Sequence, residues 1–598
     1  MLSLCGCTDT RSYSPVPATA SAAAPPLPAL ELLAVQQGSG RPVHLALTPR
    51  GLALVKQRTS SGLHSLRLGN PSSTSSRIIP YRYILAATTT HPQPATGDPL
   101  STLSLSALVP SSIRDPDSPS PLRLYRLDAT VHDVGGSHDP SDHAARRSAA
   151  DDWCAELERR AYDGVERTRT FHCVVNPHGG KAKAKTVWLD AVKPIFDAAG
   201  CSYDVSYTGP PGSPSHAHSL GLSHDPASYD ALVALSGDGI VHELLNGLAA
   251  QPARPARALR DSPIVHVPCG SGNALATSVY GPARATDVRY AALCALKGSP
   301  LPLDLSSFSQ PDPGPGPGPA QQQQPPRRRY TFLTQAFGLM ADLDLGTEHL
   351  RWMGDARFTL GYVRGALARR RYPCRVDVRG PRADKARIAR THNALLERGE
   401  GARAAGAAAG GGGGARGVDG AAEAGAGAGA QAGDEMPPLV FGGVDAPLPE
   451  GRRREDEWVT LDLEEQGVFF AYGGKTPFVS KDVMLFPAAD PNDGLIDLVL
   501  VAPMSPLAAL TAMDNASTGG LLSLPSVTYL KCTAYRLSFP PPAPGAKDGF
   551  ISVDGERAPY APFQVECHRG VARVMGFDGR WGGRTRIEGF DDDGGKAK

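Results

Sequence analysis

An aspartate between two glycines, Gly237-Asp238-Gly239, stands between two further glycine-rich turns in the chain, Asn176-Pro177-His178-Gly179-Gly180-Lys181 and Gly270-Ser271-Gly272-Asn273. Glycines let backbone amides approach a ligand closely, and a helix N-terminus just behind such a turn favours anionic groups. Together the three turns describe a phosphate-binding cleft. Asp238 is placed to take a proton from a substrate hydroxyl beside a terminal phosphate, as a general base does. Its plainer alternative is an aspartate that only caps the next helix. Phosphoryl transfer depends mostly on positioning and charge neutralisation, so the cleft also needs cations, and Arg351 and Arg357 are candidates.

Each turn follows a short apolar run: Phe171 to Val175, Ala231 to Leu235 and Pro263 to Val267. Runs of that length suit buried strands. Helical spacing comes next, clearest at Ile240, Val241, Leu244, Leu245 and Leu248. Three strand–turn–helix units predict a parallel α/β sheet that binds its ligand outside the carboxyl ends of the strands. The turns match neither the GxxxxGK[ST] loop nor the GxGxxG fingerprint, which argues against P-loop enzymes and Rossmann dehydrogenases.

With 598 residues, 41% hydrophobic and 20% charged, the chain can build two or three domains. A net charge of +1 gives no reason to expect nucleic acid as a partner. Ten cysteines without CxxC pairs suggest reduced thiols, and no run has transmembrane length. A cytoplasmic protein is expected. Residues 1–40, rich in Ala, Pro and Ser, read as a disordered tail, and 41–150 as a strand-rich N-terminal module. The α/β lobe spans 165–305, and a Pro/Gly/Gln linker covers 310–329. A lobe of many short strands, 330–580, follows as an antiparallel sandwich with a low-complexity insertion at 380–456.

Ser236-Gly237-Asp238-Gly239-Ile240-Val241-His242-Glu243, with Asn246-Gly247 behind it, resembles the nucleotide motif of the diacylglycerol kinase catalytic superfamily. The other two turns match that superfamily's signatures in the expected order. Ala341-Asp342-Leu343-Asp344-Leu345, continuing through Glu348, Arg351, Gly354 and Arg357, is similar to the substrate and phosphate region of sphingosine (long-chain base) kinases. Ser552-Val553-Asp554-Gly555-Glu556 looks like the family's returning DGE motif, at the nucleotide phosphates and metal. His178, Cys269 and Gly209-Pro210 depart from the usual residues.

The resemblance implies a lipid kinase that uses ATP and Mg²⁺ to phosphorylate the primary hydroxyl of a sphingoid base. It implies nucleotide contacts at Asn176, Gly179, Gly180, Lys181, Thr208, Ser236, Gly237, Gly239, Glu243, Gly270, Ser271, Gly272, Asn273, Arg351, Arg357, Asp554, Gly555 and Glu556. Asp344 would face the amine, a natural partner for a carboxylate in a partly apolar pocket. Thr334, Phe337, Leu339 and Met340 are the expected lining of the lipid site, while Asp493-Gly494 is expected to be a structural turn. A lipid substrate implies peripheral contact with intracellular or plasma membranes, for which Arg327–Arg329 and Arg369–Arg371 offer basic clusters. The rivals are a ceramide or diacylglycerol kinase and a regulator that binds lipid or nucleotide without catalysis.

Overall fold

The structure is a computed structural model that describes residues 31–56, 76–91, 100–111, 120–134, 143–179, 182–210, 213–311, 328–347, 356–380, 384–408, 433–444, 446–448, 457–541 and 548–590. It has a strand-rich N-terminal module, an α/β lobe and a sandwich lobe, joined through shared sheets and cores.

The N-terminal module is a seven-stranded antiparallel sheet in the order Ser76–Ile79, Gly51–Lys56, Pro42–Thr48, Glu31–Gln36, Leu122–Val134, Thr102–Pro110 and Ile84–Thr90. Helix His143–Ala161 packs on it through Trp153 and Leu157, and its core merges with that of the α/β lobe. Strand Glu31–Gln36 corrects the expected 1–40 tail. Its Leu32 and Ala34 alternate inward, a two-residue period too short to outweigh the surrounding Ala/Pro composition in the sequence.

In the α/β lobe, Thr170–Val175, Ala231–Ser236 and Ile264–Pro268 lie side by side in parallel, with Val233 opposite Cys173 on one side and Val265 on the other. These strands are buried on both faces, which is why they read as continuous apolar runs. All three end at the same edge of the sheet, so their turns converge there.

Strand Phe563–Gly576 carries the sheet into the second lobe. It pairs in parallel with Ile264–Pro268 and antiparallel with Ser299–Ser309 and Ala534–Ser538. A six-stranded antiparallel sheet, Val527–Cys532, Ile496–Val501, Phe470–Gly474, Thr334–Gly338, Ile551–Val553 and Glu556–Ala558, packs against that extension. Phe308, Phe337, Val376, Leu498 and Val565 fill the space between the sheets. The other face of the six-stranded sheet carries Ala336 and Tyr472, which share a core with Leu339 and Phe469 beneath helices Leu339–Gly346, Ala356–Leu367 and Pro506–Asn515.

The stretch expected as a low-complexity insertion, 380–456, contributes structure at both ends. Helix Lys385–Ala408 buries Ile388 and Ala389, and its Asn393 exchanges hydrogen bonds with the backbone of Ile587. At the far end, the amides of Val440 and Phe441 donate to the carboxylate of Glu566, and Arg536 donates to the Phe441 carbonyl. Composition hid these contacts because their partners lie more than ninety residues further along the chain.

Two buried lysines away from the cleft are paired with carboxylates. Lys475 bridges Asp304 (2.7 Å) and Asp493 (2.8 Å), while Lys531 bridges Asp493 and Asp497, each at 2.9 Å. Asp493 thus stands in a buried ionic cluster. Lys297 points into the N-terminal module, where its ammonium donates to the carbonyls of Ile84, Ala161 (2.9 Å) and Tyr81 (3.3 Å) and sits 4.1 Å from the Tyr162 ring centre. Burial drives its pKa down to about 7.

Candidate active site

The Gly237 and Gly270 turns touch backbone to backbone: a Cβ on Gly270 would come within 2.5 Å of the Gly237 Cα. Only glycine allows that approach. Helix Asp238–Ala249 begins at the Gly237 turn and helix Ala274–Tyr280 follows the Gly270 turn. Asp238 links them, its carboxylate accepting from the amides of Ala274 and Leu275 at 3.0 Å each. The expected alternative of a helix-capping aspartate is therefore partly realised, but on a neighbouring helix. A carboxylate has about four lone-pair sites, so two amides orient Asp238 without exhausting it. His266 Nδ1 lies 3.8 Å from it, and the other ring nitrogen contacts the Ser236 carbonyl at 3.0 Å.

Asn273 supports the third turn from a left-handed backbone conformation, φ 50°, its side chain accepting from the Gly270 amide and donating to the Gly270 carbonyl. Ser271 is exposed at the tip, and the Gly272 carbonyl accepts from the Lys481 amide of the second lobe. In the first turn, Asn176 Oδ1 accepts from the amides of His178 and Gly179 and from the Thr208 hydroxyl. Asn176, Gly179 and Thr208 thus form one unit at the edge where Ser236 and Gly237 lie. Gly180, Lys181 and Arg351 fall outside the described residues, as does the side chain of Arg357 in helix Ala356–Leu367.

Glu556 faces the start of the Asp238 helix, and Glu243 lies within that helix, four residues after Gly239. A Cβ on Gly239 would stand 3.4 Å from Glu556 Oε1, and Glu556 is exposed. Glu243 lies 3.1 Å from His216 Nε2, and burial, together with the neighbouring Glu556 charge, raises its pKa above the usual carboxylate value. Among the described residues, no group of three or more His, Cys, Asp or Glu side chains is arranged to hold a metal ion.

Asp554 has another role than the nucleotide contact expected of it. Its buried carboxylate accepts from His242 Nδ1 (2.8 Å), Thr331 Oγ1 (2.5 Å) and the amides of Phe332, Leu333 and Thr334 (3.1, 3.1 and 2.7 Å). Five donors saturate it, so it fastens the lobes together instead of meeting phosphate. Asn246 closes the same seam by exchanging hydrogen bonds with the backbone of Tyr330. His242 and Asn246, missed as functional residues, share a helix face at i, i+4, which was the available signal. Gly555 turns the chain at φ 87° between Asp554 and Glu556.

In the second lobe, Asp344 on helix Leu339–Gly346 receives a hydrogen bond from the Ser552 hydroxyl. Thr334 is buried and gives its amide to Asp554, and the Asp344 charge helps raise the pKa of the buried Tyr472 phenol, after the larger effect of burial. Leu339 is buried and Met340 partly buried in the core beneath the helices. Phe337 corrects the expected lining. It follows Ala336 in the strand and so points to the opposite face, where it stacks on Phe539 in the sandwich core.

The basic clusters are also partly spent within the fold. Arg328 donates to the Pro437 carbonyl and covers the Tyr330 ring, and Arg370 pairs with Asp342. Arg327 lies outside the described residues. No helix among the described residues is long and apolar enough to cross a membrane.

The model of the diacylglycerol kinase catalytic domain matches residues 170–308, and that of the YegS C-terminal NAD kinase beta sandwich-like domain matches 462–576. The chain is 30% identical over 458 residues to sphingoid long chain base kinase 5 of Saccharomyces cerevisiae, covering 72% of this chain and 62% of that protein. It is 28% identical over 431 residues to sphingoid long chain base kinase 4 of Schizosaccharomyces pombe, covering 71% and 78% of the two chains. With sphingosine kinase 2 of Arabidopsis thaliana it shares 26% identity over 412 residues, 68% of this chain and 72% of the other. The chain thus spans less than two thirds of the budding-yeast protein. The two domain matches lie in the order in which the fold sets its two lobes, and the chain is similar over most of its length to sphingoid long chain base kinases and sphingosine kinases.

Proposed function

We propose that this protein is an ATP-dependent lipid kinase that transfers the γ-phosphoryl group to the primary hydroxyl of a sphingoid long-chain base. The observation that carries the reading is Asp238, held by two helix-terminal amides where two glycine turns meet. Asp238 accepts the hydroxyl proton as the oxygen attacks phosphorus. The amides of the glycine turns, with Arg351 and Arg357, steady the charge on the phosphates. Asp344 holds the substrate ammonium, a charge that diacylglycerol and ceramide lack. The substrate resides in a bilayer, so the reading includes peripheral membrane contact.

Glu556 and Glu243 fit a magnesium ion that draws its remaining ligands from phosphate and water. Glu556 Oε1 stands at Gly239, and Glu243 lies one helical turn further along the same helix, so a divalent cation between them would relieve the repulsion of two carboxylates. Such an ion, when bound, neutralises phosphate charge. Asp554, saturated by protein donors, is not among its ligands.

The test incubates purified protein with labelled ATP and sphingosine, ceramide, diacylglycerol or NAD. Transfer to sphingosine alone is expected. Preference for a neutral lipid would remove the role given to Asp344, and transfer to NAD or to no acceptor would overturn the lipid-kinase reading.

A further inference from the structure

Strands Phe470–Gly474, Thr334–Gly338 and Ile551–Val553 run side by side, and their register sets Tyr472, Ala336 and Ser552 in one row across the sheet. Directly opposed residues share a face. Here it is the face beneath the helices, since Ala336 and Tyr472 belong to that core while their neighbours Phe337 and Ala471 belong to the sandwich core. Asp344 meets this row from helix Leu339–Gly346: the Ser552 hydroxyl donates to its Oδ2, and its charge acts on the Tyr472 phenol.

Ser552 is 1% exposed, so its hydroxyl has little access to water. A hydroxyl carries one proton. Giving that proton to Asp344 favours the ionised carboxylate and limits its rotation. Strand pairing does not depend on the hydroxyl, because the backbone register through Ala336 holds Ser552 in place.

We propose that Ser552 is a positioning residue that aims Asp344 at the ammonium of the sphingoid base and thereby sets the affinity for that substrate. The inference rests on the reading of Asp344 as the amine partner. It places substrate selection on the same short strand whose following turn fixes the lobe seam: Ser552 serves the lipid site, and Asp554, two residues on, fastens the sheet to the nucleotide lobe.

The experiment is steady-state kinetics of the full chain with sphingosine in detergent micelles, varying the base and ATP separately and recording thermal midpoints. Ser552→Ala should raise KM for sphingosine on the order of five- to tenfold, the scale of one hydrogen bond to a charged group, with kcat and KM for ATP little changed. Ser552→Thr, which keeps the donor, should restore much of the loss. In an Asp344→Asn background the alanine substitution should add no comparable rise. If Asp344→Asn alone leaves KM for sphingosine unchanged, the amine reading fails and the Ser552 role falls with it. If Asp344→Asn raises KM but Ser552→Ala does not, only the positioning role fails. A Ser552→Ala protein that loses affinity for ATP and sphingosine alike, with a lowered melting midpoint, would make Ser552 a structural residue and overturn the proposal.

Discussion

Asp238 and Asp554 each precede a glycine at the end of a buried strand, but Asp238 takes two amides from a neighbouring helix while Asp554 takes five donors from two segments. The number of donors separates a carboxylate that can still exchange a proton from one that serves as a fastener. At the first, Gly237-Asp238-Gly239, the aspartate is oriented, still partly open to solvent and next to touching glycines. In the second it is sealed, and the exposed acid two residues on, Glu556, takes the place at the cleft.

The contrast can be broken most severely at Asp554. Asp554→Ala leaves His242 and three backbone amides buried without their acceptor, and should cost about 3–5 kcal/mol in chemical denaturation. A loss under about 1 kcal/mol would show that the seam does not depend on this carboxylate. Asp238→Asn should instead spare most of the stability, since the amide oxygen still accepts a helix N–H. Lipid phosphorylation should fall about 100-fold or more, the usual weight of a general base. Unchanged turnover would remove Asp238 from the chemistry.

A smaller effect is expected where the turns meet. Gly270→Ala drives a methyl to within 2.5 Å of the Gly237 Cα and should cost about 1–3 kcal/mol while raising KM for ATP. A rise confined to KM for the lipid would place that junction outside the nucleotide site. Smallest of all, Glu556→Gln should leave the melting midpoint unchanged and raise the magnesium concentration needed for half-maximal activity by on the order of tenfold. If it melts early instead, the second turn contains two fasteners and the division drawn between Asp554 and Glu556 disappears.

The comparison also marks what could be read from sequence. The strand–turn–helix units were legible because each is local: a buried run, a glycine turn and a helical stripe fall within about thirty residues. Asp238 stood out for the same reason. The saturation of Asp554 was not legible, since His242 lies 312 residues earlier and a DGE sequence is identical whether its aspartate faces water or five donors. Phe337 failed for a different cause. Its apolarity fits either face of the sheet, and only the register with Tyr472 and Ser552 reveals which face Asp344 shares. Glu31–Gln36 and the segment around Val440 were masked by the composition of their surroundings, although Glu566, isolated and acidic in an apolar strand, was a hint that donors had to come from elsewhere.

Lys297 bears on what counts as a separable piece of this chain. Its ammonium is solvated by carbonyls of the first sheet and its flanking helix instead of by water, and nearby Arg284 and Asp287 reach the backbone of Ser120 and Leu122 in the same way. A polypeptide cut just before Thr170, where the match to the catalytic domain begins, would strip Lys297 of its carbonyl partners, remove one partner each from Arg284 and Asp287, and expose the apolar core shared by Leu85 and Leu293. The N-terminal sheet is therefore part of the α/β lobe's own cooperative folding unit, and the autonomous module of this chain is larger than the segment that carries its motifs.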